Sequence, residues 1–115
     1  VCVITENFHK LTKRADTVLA ILDQCQENIG LCVDFGNFRG DEKYEEIAAI
    51  LPHATSVHAK ANYPEAGQME RIDFDQCLEL TRKFNFFGPY SLIFDSAGSE
   101  WDSLAEIQSV VEKYI

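Results

Sequence analysis

Short apolar runs alternate four times along this chain with longer stretches whose apolar residues recur at three- and four-residue steps. Val1 to Thr5 is β-branched and apolar, as a strand requires, and Ala15, Val18, Leu19, Leu22 and Cys25 mark one face of a helix over Lys13 to Gln26. Asn28 ends that helix. Ile29 to Phe35 predicts a second strand. A polar loop, Gly36 to Asp41, follows, and Asp41 is suited to cap a short helix with the inner stripe Tyr44, Ile47, Ala48 and Leu51. Pro52 stops it. Ala54 to Ala59 is the third strand and Asn62 to Glu70 a loop with Pro64 and Gly67. Asp73 with Gln76 three residues on makes a capping-box start for a helix carrying Phe74, Cys77, Leu78, Thr81 and Phe84. After Gly88 and Pro89, Tyr90 to Phe94 is the last strand. Ser99 then caps a helix whose buried face is expected to be Trp101, Leu104, Ile107, Val111 and Tyr114.

Four strand–helix units predict a single α/β domain over residues 1–115, and right-handed crossovers put the carboxyl ends of all four strands on one edge of a parallel sheet. Parity along the strands adds a second constraint. Glu6 shares a face with Ile4 and Cys2, Asp34 with Cys32 and Gly30, His58 with Ser56, and Asp95 with Ile93 and Ser91. The other face is Val3, Leu31, Val33, Val57, Leu92 and Phe94. Bulky residues on one side with small or polar ones on the other suit the wall of a curved barrel, whereas a doubly wound sheet needs large apolar side chains on both faces.

Glu6, Asp34, His58 and Asp95 each lie at or near the end of a predicted strand, where parallel α/β folds collect their chemistry. Three carboxylates and an imidazole form a donor set for one divalent ion. Each residue alone has a plainer role, as a helix cap, turn former or core histidine, and their joint placement is what points to a site. His53 beside Pro52 reads as surface, and Trp101 with Phe84, Phe86 and Phe87 as core.

The formal charge of −9, from 19 acidic and 10 basic residues, opposes nucleic acid as a partner, because phosphate backbones are bound by neutralising Lys and Arg. Cys2, Cys25, Cys32 and Cys77 show no CxxC spacing and are expected to be buried free thiols in a reducing, cytoplasmic compartment. No apolar stretch approaches the ~20 residues of a membrane span, and no signal peptide is evident. The chain starts at Val1 inside an apolar run without an initiator Met, which suggests a piece of something longer.

The strings Thr5-Glu6-Asn7, Val33-Asp34-Phe35-Gly36-Asn37-Phe38, Val57-His58-Ala59-Lys60, Ile72-Asp73-Phe74 and Gly88-Pro89-Tyr90-Ser91-Leu92-Ile93 resemble the sugar phosphate isomerase/epimerase family. That family has the xylose isomerase-like (β/α)8 barrel. The resemblance covers nearly the whole chain and implies the C-terminal half of such a TIM barrel, strands five to eight. It implies Glu6, Asp34, His58 and Asp95 as metal ligands, with Mn²⁺ or Mg²⁺ favoured over Zn²⁺ or Co²⁺. Glu6 and Asp95 would double as the acid/base pair that moves a proton through an enediolate of a sugar or sugar phosphate. Lys60, His9 and Asn37 would contact substrate.

Two residues depart from the family pattern. Asp95 stands where Glu is usual, and Asn37 where the family's epimerases and its more distant relatives, the type IV apurinic endonucleases, have His. They motivate one alternative, a non-catalytic carbohydrate-binding or regulatory barrel remnant; the resemblance also leaves open an inosose-type dehydratase, whereas a DNA-repair endonuclease is opposed by both the −9 charge and Asn37. A closed barrel needs ~250 residues, so the remaining half or self-association is expected to complete the wall, and the half alone to be inactive.

Overall fold

Four strands, β1 (Ile4–Glu6), β2 (Gly30–Asp34), β3 (Ser56–Lys60) and β4 (Tyr90–Ile93), form one parallel sheet in the order β1-β2-β3-β4. This is a computed structural model, and it describes residues 1–26 and 28–115. Between the strands run α1 (His9–Thr12), α2 (Ala15–Cys25), α3 (Lys43–Ile50) with a 3-10 turn at Leu51–His53, and α4 (Arg71–Lys83). The last helix, α5 (Glu100–Val111), follows β4. The α/β alternation and the parallel sheet are those expected from the periodicity.

The strand order never reverses, so right-handed crossovers carry every connecting helix to the same face of the sheet. Burial agrees. Leu31, Val33, Val57 and Ala59 are fully buried and share one core with Val18, Ile47, Ile50, Phe74, Leu78 and Ile107 from the helices. The opposite face carries Glu6, Cys32, Asp34, Ser56, His58 and Ser91, which the register sets side by side. One face is thus apolar and covered, and the other is polar.

Several elements differ from the sequence expectation. β1 begins at Ile4, not Val1, because its partner strand begins at Gly30 and the last ladder bond is Gly30 N to the Val3 carbonyl (2.8 Å). Cys2 is therefore exposed rather than buried. All four cysteines are free; Cys32 and Cys77 are buried, and burial pushes the Cys77 thiol up to about 12, so it is an inert packing group. The four-residue helix α1 is too short to show a period, and is tied by Phe8 N donating to Thr12 Oγ1 (2.9 Å).

Asp41 does not cap α3, which follows Glu42 without a side-chain cap. Asp73 lies inside the first turn of α4 instead of capping it, its carboxylate being taken by Lys43 and Tyr44. Ser99 does cap α5, accepting from Asp102 N at 3.5 Å. Trp101 and Phe87, expected in the core, are 81% and 92% exposed. The buried stripe of α5 is Ser103, Ile107, Val110 and Val111, and Trp101 lies about 200° round the helix from Ser103 at 3.6 residues per turn. Among the described residues no helix is long and apolar enough to cross a membrane.

Candidate functional site

Glu6, Asp34 and His58 converge because of the register. Asp34 pairs directly with His58 across β2 and β3, while Glu6 sits one same-face step earlier, beside Cys32, with a longer side chain to cover the difference. His58 Nδ1 lies 3.4 Å from Asp34 Oδ2 and 3.5 Å from Glu6 Oε1. Both distances exceed ordinary hydrogen-bond length. The three ligand atoms lie within 4.8 Å of one another, spaced around a point instead of bonded pairwise. Two hard carboxylate oxygens and one imidazole nitrogen suit a divalent ion.

Each carboxylate is held from outside that point. Asp34 Oδ1 accepts from Gly36 N at 2.8 Å, which leaves Oδ2 facing His58. Asn37 Nδ2 donates to Glu6 Oε1 at 3.0 Å. Burial pushes the Asp34 carboxyl above its usual range and nearby Glu6 adds to this, whereas Gly36 N–H, Lys60 and His58 pull the other way. A cation at the centre would favour the ionised form of this costly buried carboxylate.

Asn7, in the first of the motif strings but without a role assigned from sequence, is fully buried. Its amide donates to the Asp34 carbonyl (2.9 Å) and accepts from Asp34 N (2.7 Å), acting as one further rung between β1 and β2. No local signal marks such a role, because its partner lies 27 residues away. Asn7→Ala is expected to cost about 2–3 kcal/mol, since both Asp34 main-chain groups lose their partner. Urea denaturation checks this, and a change below about 0.5 kcal/mol would contradict it.

Asp95 stands apart from the three. It lies two residues beyond Ile93, the partner of Lys60, and so one same-face step past the end of the ladder. Its side chain is 56% exposed and its Oδ2 meets Lys60 Nζ at 2.5 Å. Lys60 itself packs its stem on Gly36, where an added Cβ would come within 2.8 Å of Lys60 Cδ. His9 is exposed, with a left-handed backbone (φ 49°) and its ring edge-on to Phe8. Thus Glu6, Asp34, His58 and Asn37 form one contiguous group, and Lys60 with Asp95 a second beside it.

Lys60, Asp95, Asn37 and His9 all line a cavity of about 700 Å³ at the carboxyl ends of the strands. A larger groove of about 860 Å³ lies between the ends of α4 and α5 and the start of β4, lined by Phe86, Tyr90, Val111 and Tyr114 among others. It holds none of the expected site residues, and the amino ends of parallel strands are where α/β folds keep stability, not chemistry. No family model matches this chain, and no curated protein matches it.

Proposed function

We propose that this chain carries the metal centre of a sugar or sugar-phosphate isomerase/epimerase, and that its four strands form the C-terminal half of a (β/α)8 barrel. The observation that carries the reading is the convergence of Glu6, Asp34 and His58 from three adjacent parallel strands onto one point. An unreversed strand order with all helices on one face is what a barrel wall requires.

Glu6 Oε1, Asp34 Oδ2 and His58 Nδ1 would hold the ion, Mn²⁺ or Mg²⁺ by the hardness of the set. Bound there, it would supply Lewis-acid polarisation of a substrate carbonyl. Glu6, about one-third exposed and oriented by Asn37, is the carboxylate placed to take a proton from the carbon next to that carbonyl. Asp95, held by Lys60, is the second acid/base group, and Lys60 the cation that positions it. The Lys60–Asp95 pair also favours a second reading, a carbohydrate-binding barrel without turnover, since it occupies both groups. Glu6→Gln separates the two: an enzyme loses turnover, whereas a binding module keeps its sugar affinity.

Isothermal titration of Mn²⁺ into the full chain tests the centre. One ion per chain is expected, with affinity lowered on the order of 100-fold or more by His58→Ala. No binding to the wild type, or equal binding to both proteins, would sink the metal reading.

A further inference from the structure

Glu6 is the least secured of the three candidate ligands. β1 is an edge strand of three residues, paired on one side only, and its ladder with β2 ends at Glu6 itself, opposite Cys32. Asp34 and His58 sit on strands with a neighbour on each side and pair directly with one another. Strands fray from their ends, so the main chain at Glu6 would move freely if nothing held it past the last rung.

Beyond Glu6 the chain leaves the sheet at once. Phe8 N donates to Thr12 Oγ1 (2.9 Å) and the Phe8 carbonyl accepts from the same hydroxyl (2.8 Å), so both groups are bonded within the α1 segment. A side chain takes the place of the next main-chain rung. Asn7 Oδ1 accepts from Asp34 N at 2.7 Å and Asn7 Nδ2 donates to the Asp34 carbonyl at 2.9 Å, with Asn7 fully buried. A primary amide offers the same acceptor and donor as a peptide group, here where the strand no longer supplies one. Because Asn7 follows Glu6 directly, this clamp fixes the Glu6 main chain against the residue that carries the second candidate ligand. Asn37 holds the outer end of the same side chain, donating from Nδ2 to Glu6 Oε1 at 3.0 Å.

We propose that Asn7 is a positioning residue for Glu6, a role that rests on the metal-centre reading above: by standing in for the missing rung it presets this edge carboxylate, so that an ion meets three fixed ligands rather than two fixed and one mobile. A ligand ordered beforehand does not have to be ordered on binding, and that difference appears as affinity. A residue that only tied β1 to β2 would change stability and leave the contribution of Glu6 to the ion untouched.

The test is a double-variant cycle on the full chain, read by paramagnetic resonance of Mn²⁺, which counts free ion and so reaches weak affinities, with urea unfolding run on the same proteins. Asn7→Ala is expected to weaken Mn²⁺ binding on the order of tenfold in the wild-type background, and by less than about twofold once Glu6→Ala has removed the carboxylate that Asn7 positions. The effect of Asn7→Ala on unfolding should be the same in both backgrounds. Asn7→Ser, which leaves room for a water to bridge to Asp34, gives the same cycle if Asn7→Ala does not fold. An equal loss of Mn²⁺ affinity in the two backgrounds overturns the proposal, as does unchanged affinity in the folded single variant; either result, with Mn²⁺ still bound by the wild type, leaves the metal centre standing. No Mn²⁺ binding to the wild type removes the metal centre and the positioning role together.

Discussion

Phe74→Ala is expected to remove about 4 kcal/mol of stability, the usual cost of emptying a fully buried aromatic site. Phe74 has no exposed surface and meets Phe35 edge-on, with ring centroids 6.3 Å apart. A domain of this size is stable by only ~5–15 kcal/mol, so the loss is a large fraction of the whole. The effect should also reach the candidate centre. Phe35 follows Asp34 directly and its N–H donates to the His58 carbonyl, so loosening the Phe35 ring loosens the strand pair that aligns two of the three candidate ligand atoms. Urea denaturation gives the first quantity and Mn²⁺ titration the second. A loss below about 1.5 kcal/mol would mean the core around Phe74 collapses to fill the space.

Lys43→Met should cost about 3–5 kcal/mol for a different reason. Lys43 Nζ, almost wholly buried, donates to both oxygens of Asp73 at 2.7 Å, and Tyr44 OH donates to the same carboxylate at 2.8 Å. Burial, with Asp73 adjoining, raises the Tyr44 hydroxyl, so it remains a proton donor throughout the ordinary pH range. Methionine keeps the stem of Lys43 and removes the charge, leaving Asp73 half-partnered between α3 and α4. The double variant Lys43→Met with Asp73→Leu should recover most of the loss, because it is the uncompensated charge that destabilises. If the double variant is as unstable as the single one, shape and not charge holds this contact.

The same pair shows where local reading of the chain stops. Asp73 with Gln76 matches a helix-start pattern, and the structure uses Asp73 to bind a lysine 30 residues earlier. A carboxylate serves either purpose, and only the packing of α3 on α4 decides which. Trp101 illustrates the opposite limit: the period of α5 is evident, yet which side of it meets the sheet depends on the angle at which the helix docks. Asn7 fails to announce itself because a buried amide bridging two strands carries no periodic signature.

Hydrophobic periodicity by itself determined the alternation of strands and helices, the split between an apolar and a polar sheet face, and the presence of Glu6, Asp34 and His58 on the polar one. These follow from the two-residue repeat of a strand and the 3.6-residue repeat of a helix, both local properties of the backbone. Tertiary structure alone decided the register, and register decided the site. Pairing Asp34 with His58, and Glu6 with Cys32, brought three candidate ligand atoms within reach of one another, while the end of the ladder at Ile93 left Asp95 one step beyond, on Lys60. The clamp of Asn7 on Asp34 belongs to the same class of fact. Residues far apart in sequence meet only through the close packing of strands, whose energy is set by contacts across the sheet and not by neighbours along the chain.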